Sequence, residues 1–396
     1  MNRDFFQTRV QNLNRWICHQ EKTQSGRVGV ALITGTLFSL LSMFLYFPPD
    51  FIESPPDRLK DFAAMCANPF ARDLLEPILA YRITAPAIAW LLGLRGASGL
   101  IVQYGAIVLL LASVYLLLSR RIDSLPAILG VAAVSSSFTV IWPSSYPGYP
   151  DSVTHLLIAL TLFTTKLPLV TLLCFLAMMN DERAILAWPL IVLWHVYDHP
   201  REVRPVLFRL LPAVAVSLVL VIGLRHALTV GWIGPGVQTP ALYGQLYAQV
   251  ILQLSPWGST WTKFFFSIFM GYRWLWVLPV LVLLWSDNTL QKWFPILLLP
   301  YLALGALTAM AVGDVSRSTG YLFPGILLAI LWTKRHVTAN RQVRIVRAIC
   351  LGQLITPVFY FVADWSRLHR PVAVEVIRAV TGFDVIHAIV YGCGRC

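Results

Sequence analysis

Charged residues beside long apolar runs are the part of this sequence best suited to chemistry. The sharpest example is the run Asn180-Asp-Glu-Arg183, in which four polar residues interrupt an otherwise apolar stretch. The guanidinium of Arg183 has the geometry to clamp a phosphate through charge-assisted hydrogen bonds, and Asp181 or Glu182 can orient that group or bind a cation. A tight, solvated turn is the alternative interpretation; we favour a turn that faces a cavity.

Two more polar residues stand out against apolar surroundings. Arg82 lies in the short apolar stretch Ile78–Leu94, where a free guanidinium is costly, so it either extends to lipid headgroups or receives an anionic ligand. Asp151 follows the turn-rich segment 143–150 and is expected to cap a helix that begins at Ser152. Capping does not exclude a chemical role for the same carboxylate.

Asp314 and Arg317 are three residues apart, a spacing that brings two side chains together on a helix. Asp314 is either a helix cap, with Arg317 paired to it or to lipid phosphate, or a functional residue. His155 lies one turn after Asp151. We interpret it as a satisfied polar contact, because no second histidine has metal-ligand spacing to it.

Acidic residues also collect in the polar loop that follows the first long apolar run. Asp57, Asp61 and Asp73 lie there, and a solvated carboxylate is the ordinary case in such a loop, with a chemical role as the alternative. No cofactor is required by any of these residues. The metal requirement stays open, with a divalent cation at the carboxylates as one alternative.

The elements that position these residues are membrane helices. Hydrophobic residues make up 57% of the 396 residues and charged residues only 13%, against about 25% charged residues in soluble domains. The apolar runs are long and continuous, as in Ile101–Leu118 and Val206–Leu224, which excludes a soluble fold and a transmembrane barrel. The sequence therefore predicts an all-α, polytopic transmembrane helix bundle with about ten spans.

The charge pattern gives the expected topology of this single transmembrane domain. A basic N-terminal segment indicates a cytoplasmic start, and the basic run at Lys334 falls inside after the spans are counted, as the positive-inside rule requires. The last span is expected at Ile349–Val362. The other segments are the cytoplasmic residues 1–27, a first outer loop at 48–97 with an interfacial helix, a second outer loop at 225–266, and an outer tail at 363–396.

This topology brings the sparse polar residues to one level. It places Asp61, Arg82, Asp151, Arg183 and Arg317 at outer helix ends or in outer loops. Ionisable groups near hydrocarbon are costly and usually functional, so we expect them to meet in one cavity that opens away from the cytosol. The net charge of +12 lies largely in the basic loops, where membrane lipids suffice as partners and nucleic acid is not needed.

The layout resembles the GT-C superfamily of polytopic membrane glycosyltransferases. The shared features are a cytoplasmic N-terminus, one span, a long acidic outer loop with interfacial helices, and a bundle with short helices. Local matches are the stretch Asn68-Pro-Phe70 through Tyr81-Arg82 to Pro86, the Pro150-Asp151 turn, the polar break at 180–183 and Asp314-x-x-Arg317.

The resemblance implies roles for these residues. A carboxylate of the first outer loop acts as general base in this family, which implies Asp61, with Asp57 and Asp73 as close rivals. Phosphate contacts are implied for three arginines, and the remaining polar positions complete the substrate-binding set: Arg82, Arg183 and Arg317, then Asp151, Asp181, Glu182 and Asp314. The chain departs from the family in having no adjacent Asp-Glu or Asp-x-Asp pair in that loop.

The expected function is therefore that of a bacterial inner-membrane enzyme of the cell envelope. The resemblance implies transfer of a hexose or pentose from a polyprenyl-phosphate-linked sugar to a glycan, lipid or protein acceptor on the non-cytoplasmic face. A transporter or lipid flippase with an outward-facing polar cavity is the first alternative, although no repeated, mid-membrane arrangement of broken helices supports it. A non-catalytic envelope assembly protein is the second.

Overall fold

The computed structural model describes most of the chain. The described residues are 17, 19–46, 56–71, 73–75, 77–233, 259–285, 293–311, 314–356, 358–362 and 365–369.

Helices form almost all of the described structure. The first half contains α1 (Gln24–Leu45), α2 (Pro56–Ala67), α3 (Thr84–Leu91), α4 (Leu100–Ser119), α5 (Ser124–Ser135), α6 (Phe138–Ser145), α7 (Asp151–Thr161) and α8 (Leu167–Asn180). The second half contains α9 (Trp188–Asp198), α10 (Val203–Val230), α11 (Ser259–Tyr272), α12 (Val277–Leu284), α13 (Trp293–Ala311), α14 (Val315–Thr319), α15 (Phe323–His336) and α16 (Ala339–Ile355). Short 3₁₀ turns occupy Pro77–Tyr81, Gly96–Gly99, Glu182–Ala187, Arg273–Trp276 and Gly320–Leu322.

Several helical segments are long and apolar enough to cross a membrane. Among the described residues these are Gln24–Leu45, Gly96–Ser119, Val203–Val230, Phe265–Leu284 and Val315–His336, and the pair α5–α6, bent by 52°, adds a sixth if it forms one span. A helix of 22 residues is about 33 Å long, enough for a hydrocarbon layer of about 30 Å. The structure is thus that of an integral membrane protein with five or six candidate spans in the described part; the expected number of about ten stays a prediction.

Packing centres on α4, which contacts α1, α5 and α7. Gly35 of α1 permits the closest approach, because a Cβ atom there would lie only 2.5 Å from the carbonyl oxygen of Val108 in α4. The opposite face of α1 is apolar and exposed: Ile33 is 60% and Phe44 75% accessible. Such side chains are suited to contact lipid rather than water.

One end of the bundle collects the helix ends that the topology assigned to the cytoplasm. Arg121 after α4 donates a hydrogen bond to Asp198 of α9 at 2.9 Å, and Lys334 of α15 donates to the carbonyl of Arg121 at 2.6 Å. Tyr115 donates to Glu21, which precedes α1, at 2.7 Å. We call this the basic end.

Two expected boundaries differ from the structure. The last span, Ile349–Val362, is not a continuous helix: α16 ends at Ile355, and β1 (Val358–Val362) pairs antiparallel with β2 (Trp365–His369). Pro357 explains the break, because the residue before a proline avoids the helical region, and Thr356 has ψ 121°. The β-branched and aromatic residues that follow favour a strand over a helix.

The second outer loop, expected at 225–266, is shorter among the described residues. Helix α10 continues to Val230 and ends at Gly231, whose left-handed φ of 84° suits a glycine at a helix C-terminus. Helix α11 begins at Ser259. Residues 1–16 and 18 of the expected N-terminal segment 1–27 lie outside the described residues, as do 363–364 and 370–396 of the expected tail 363–396 and 234–258 of this loop.

Candidate functional site

A buried network of ion pairs lies at the end of the bundle opposite the basic end. It joins three arginines and four carboxylates from separate parts of the chain, and we call it the arginine–carboxylate cluster. Its members are Arg82, Asp151, Asp181, Glu182, Arg183, Asp314 and Arg317.

Asp181 is the centre of the cluster and is fully buried. Its carboxylate accepts a hydrogen bond from Nε of Arg183 at 2.8 Å and from the backbone N–H of the same residue at 3.0 Å. It also lies 3.3 Å from Nη1 of Arg82 and 3.6 Å from Nη2 of Arg317. One carboxylate therefore connects the arginines of the first outer loop, the polar break and the segment after α13.

Asp151 forms the second centre. Nη2 of Arg317 donates to its Oδ1 at 2.6 Å, Nε of Arg317 donates to its Oδ2, and Nη2 of Arg183 lies 3.8 Å away. The expected helix cap is wrong. Helix α7 begins at Asp151 itself rather than at Ser152, and the arginines occupy the carboxylate that was expected to cap it.

Asp314 also pairs with both Arg183 and Arg317. Its Oδ2 lies 3.2 Å from Nη1 of Arg317 and 3.3 Å from Nη1 of Arg183. Asp314 occupies the N-cap position of α14, but its side chain makes no capping hydrogen bond, so this alternative is also wrong. Pairing with Arg317, the other element of the prediction, is confirmed.

The rim of the cluster contains a fourth arginine that the sequence did not indicate. Glu182 accepts hydrogen bonds at 3.0 Å from Nη2 of Arg82 and at 3.0 Å from Nη2 of Arg225, which lies near the end of α10. The Glu182 side chain is 37% exposed and that of Arg225 26%. The signal that could have identified Arg225 was the one applied to Arg82: an arginine at the outer end of an apolar run.

The charges of the cluster balance when this rim residue is included. Four arginines face four carboxylates, so 4 − 4 gives a formal charge of zero. An isolated buried charge costs several kcal/mol, and pairing with hydrogen bonds is the usual way to offset it. Phosphate binding at this site would therefore require an arginine to exchange a carboxylate oxygen for a phosphate oxygen.

The pairing also sets the ionisation of the two acidic residues in the 3₁₀ turn. Burial raises the pKa of Asp181, but the charges of Arg183 and Arg82 outweigh this and hold the pKa well below its usual range. For Glu182, burial again raises the pKa, and Arg82 and Arg225 lower it to about 2. Both carboxylates are therefore ionised at neutral pH.

Asn180 fixes the positions of the segments that supply the cluster. Its side-chain N–H groups donate to the carbonyl of Pro150 at 2.8 Å and the hydroxyl of Thr154 at 2.7 Å, and its oxygen accepts from the N–H of Ala85 at 3.0 Å. Three chain segments are tied together by one amide. The solvated-turn alternative is wrong, because Asn180 is only 1% exposed.

The first-loop carboxylates differ in position. Asp61 is 3% exposed and accepts a hydrogen bond from the N–H of Leu75 at 2.9 Å. Asp73 is exposed, which argues against a role in a buried site. The side chain of Asp57, in the first turn of α2, lies outside the described residues.

An aromatic ring connects the helix of Asp61 to the cluster. The guanidinium of Arg58, one turn before Asp61 on α2, lies 4.5 Å from the ring centre of Tyr149, and that of Arg317 lies 4.8 Å from the same ring. The backbone of Arg58 also lies against Gly148, where a Cβ atom would be 3.0 Å from its carbonyl oxygen. Helix α2 therefore packs on the turn that carries Asp151.

The described residues contain no group of three or more His, Cys, Asp or Glu side chains that could hold a metal ion. The carboxylates of the cluster are paired with arginines, so a divalent cation would have to displace guanidinium groups.

An apolar groove begins beside the cluster. The 3₁₀ turn Glu182–Ala187 contributes Ile185, and helices α9, α10 and α13 form the walls of a groove of about 710 Å³. Trp188 and Val196 both line it, so it follows α9 for about 12 Å towards the basic end. The same turn thus carries part of the ionic cluster and the start of an apolar surface.

Comparison with known proteins finds no match: no family model, no curated protein and no solved structure is similar enough to this chain to indicate its family. Any inference about function therefore depends on the geometry of the chain itself.

Proposed function

We propose that this protein is a membrane glycosyltransferase that moves a sugar from a polyprenyl-phosphate donor to a glycan, lipid or protein acceptor on the non-cytoplasmic face of a bacterial inner membrane. A GT-C-like bundle of about ten spans, with the N-terminus in the cytoplasm, is the finer fold that we propose with it.

The observation that supports this proposal best is the meeting of the arginine–carboxylate cluster and the apolar groove at one 3₁₀ turn. A lipid phosphate has a charged head and a long apolar tail, and both surfaces adjoin at Arg183 and Ile185. Apolar walls remove the tail from water while guanidinium groups bind the phosphate by charge-assisted hydrogen bonds. A soluble nucleotide-sugar donor would have no use for the groove.

The half-exposed rim is the point at which the phosphate would enter. Arg82 and Arg225 share Glu182, and its side chain is 37% exposed, so this carboxylate is the one that a phosphate can replace at the smallest cost. The exchange keeps the number of anions facing the two arginines unchanged. The buried pairs around Asp181 then serve to hold Arg82 and Arg183 in place.

The proposed reaction makes use of these charges. The acceptor hydroxyl loses its proton to a carboxylate, its oxygen forms a bond to the anomeric carbon of the sugar, and the bond from that carbon to the phosphate oxygen breaks. The leaving group is polyprenyl phosphate, whose added negative charge the arginines offset. We assign the base to Asp61, whose helix adjoins the cluster through Tyr149. Asp57 stays a rival, and Asp73 is the weakest because it is exposed.

One observation favours a second candidate function. All four carboxylates of the cluster already have arginine partners, as in a network that only ties helices together. This arrangement would suit a non-catalytic envelope assembly protein.

A transfer assay separates the two candidates. The full-length protein in lipid nanodiscs is given undecaprenyl phosphate bearing radiolabelled glucose, mannose or arabinose, with an envelope extract as acceptor. The proposal predicts transfer by the wild type and a loss of about 100-fold in Arg225→Lys, because the conservative change keeps the charge but removes the fork geometry. Arg121→Lys, at the basic end, is the matched control and should keep wild-type activity. No transfer with any donor, by protein that is folded, would favour the assembly role.

A further inference from the structure

A buried histidine next to the cluster has polar atoms that the mechanism above does not use. His155 is 2% exposed, and neither of its ring nitrogens has a hydrogen-bond partner among the described residues. Its polar contact is with the backbone of Thr139, which lies beside the ring outside good hydrogen-bond geometry. The satisfied polar contact expected at this position is therefore only partly present. An unpaired buried polar group is costly, so its retention calls for a reason.

A second such group lies against the same ring. Tyr321 is fully buried, and its hydroxyl has no hydrogen-bond partner among the described residues. Its ring centre is 4.7 Å from that of His155 and 5.4 Å from the guanidinium carbon of Arg183. Tyr321 therefore connects the unpaired histidine to the ionic cluster.

Gly320 lies beside the edge of the His155 ring. A Cβ atom at this position would lie 3.7 Å from Nε2 of His155 and 3.5 Å from the backbone of Thr139, both ordinary contact distances. Because position 320 is a glycine, no side chain at this position covers Nε2 of His155, and an alanine methyl group there would. The imidazole nitrogen keeps its capacity to bind a hydroxyl group.

We propose that His155 and Tyr321 form a hydrogen-bonding subsite for a hydroxyl group of the transferred sugar. The inference rests on the proposed function, since it places the sugar beside Arg183, in the same cluster whose rim binds the donor phosphate. The imidazole and the phenol each offer both a donor and an acceptor, as the hydroxyl groups of a sugar require. A charged ligand group would be drawn to the arginines or carboxylates instead.

The side chains around this subsite also suit a sugar better than a free ion. Phe323 lies with its ring centre 6.0 Å from that of His155, and the ring of Tyr321 packs against His155 in a tilted arrangement. Aromatic surface removes the C–H groups of a sugar ring from water while the polar atoms bind its hydroxyls. The subsite thereby offers both kinds of contact.

The test compares two lipids that differ only in the sugar. Undecaprenyl phosphate and undecaprenyl phosphate-linked glucose, mannose and arabinose are titrated against the full-length protein in nanodiscs, with binding followed by native mass spectrometry. Three proteins are used: the wild type, Tyr321→Phe, which removes only the hydroxyl, and Gly320→Ala, which fills the space beside His155. Thermal unfolding of each ligand-free protein is measured alongside.

The subsite predicts that the wild type binds at least one sugar-bearing lipid more tightly than the bare lipid phosphate. Tyr321→Phe should weaken binding of that lipid about tenfold, the effect of losing one good hydrogen bond, and leave binding of the bare lipid unchanged. Gly320→Ala should do the same by occupying the space. Because the removed hydroxyl is unpaired without ligand, Tyr321→Phe should unfold at the same temperature as the wild type or higher.

Three results overturn the inference, and they are distinguishable from one another. Equal affinity of the wild type and Tyr321→Phe for all sugar-bearing lipids, with bare lipid still bound, refutes the subsite alone. So does a lower unfolding temperature of Tyr321→Phe with unchanged binding, which would show that the hydroxyl serves the fold. Failure of the wild type to bind any of the lipids refutes the proposed function and the subsite with it.

Discussion

The two ends of the bundle use arginine in opposite ways. At the basic end, Arg341, Arg344 and Arg347 lie exposed on one helix, and the ion pair of Arg121 with Asp198 is partly exposed, at 24% and 17%. At the cluster end, the side chain of Arg183 is 5% exposed and every arginine of the cluster has a carboxylate partner. The first arrangement costs little and fits anionic headgroups. The second carries a desolvation cost that has to be offset.

Under the proposed function, this difference separates charges that orient the protein in the membrane from charges that bind a ligand. Exposed arginines on a helix end are sufficient for topology, and no specific partner is needed. A neutral, buried network of arginines and carboxylates is not needed for topology. Replacing buried ion pairs by packed apolar residues is often neutral or stabilising, so the cluster is better explained by a function than by stability.

The largest expected effect is the loss of one buried partner. Arg183→Gln removes one of the two cations that Asp181 and Asp151 share, the other being Arg317, and we expect destabilisation of about 3 to 5 kcal/mol, enough to prevent folding of a marginal protein. Arg121→Gln at the basic end should cost less than this, because the Arg121 side chain is 24% exposed and solvent screens part of its pairing with Asp198. Thermal unfolding in detergent measures both. Equal losses of stability in the two variants would show that the ion pairs at the two ends do not differ in strength.

A double-mutant cycle measures the strength of one ion pair at each end of the bundle. The coupling energy between Arg183 and Asp181, obtained with Arg183→Gln, Asp181→Asn and the double variant, should reach about 2 to 3 kcal/mol, near the upper limit seen for contacting residues. The corresponding cycle for Arg121 and Asp198 should give about 0.5 kcal/mol. A coupling energy for the cluster pair as small as that of the basic-end pair would remove the distinction.

The third prediction concerns the residue that positions the cluster. Asn180→Ala leaves the N–H of Ala85, the carbonyl of Pro150 and the hydroxyl of Thr154 without their partner, at an expected cost of about 2 kcal/mol. Asn180→Asp keeps the oxygen for Ala85 but loses both donors and adds a charge, so it should be at least as harmful. A tolerated Asn180→Ala, with an unchanged unfolding temperature, would show that the turn does not depend on this amide.

The same residues show how much of the candidate site the sequence predicts. The ends of apolar runs fix the level of a residue in the bundle. Of the five residues expected to meet, Arg82, Asp151, Arg183 and Arg317 lie together, whereas Asp61 lies on the neighbouring helix α2, which adjoins them through Tyr149. Level does not fix rotation about a helix axis or the distance between helices. Residue spacing therefore could not predict which carboxylate pairs with which arginine. It also could not predict that Asn180 both donates and accepts hydrogen bonds between separate segments.

Three other features of the structure were not predicted from the sequence, each for a different reason. Arg225 was assigned to a loop because the apolar run stops at Leu224, although α10 continues for six residues to Val230. The unpaired atoms of His155 and Tyr321 leave no trace in the sequence, since burial and hydrogen bonding depend on the packing of α7 against the segment after α14. The end of α16 was predictable from Pro357. The predicted span was instead extended to Val362 because the apolar run continues past this proline.

The smallest expected effect is a pH dependence at the rim. The pKa of Glu182 lies at about 2, below its ordinary value of 4.5, so its ion pairs stabilise the fold fully above pH 4.5 and are lost as the pH falls from there towards 2. Because the side chain is 37% exposed, solvent screens part of this effect. The unfolding temperature of Glu182→Gln should therefore lie below that of the wild type at neutral pH and approach it in acid.

Asp73→Asn is the matched control for this titration, since Asp73 is an exposed carboxylate of the first outer loop. It should keep the wild-type dependence on pH. A Glu182→Gln variant with the same pH profile as the wild type would mean that the rim pairs do not contribute to stability.

The most direct test of the proposed function is an experimental structure of the protein with undecaprenyl phosphate bound. We expect the phosphate at hydrogen-bond distance from Arg82 and Arg225, in place of the Glu182 carboxylate. We expect the polyprenyl chain along the groove between α9, α10 and α13. A phosphate bound among the arginines of the basic end, with the cluster unchanged, would contradict it.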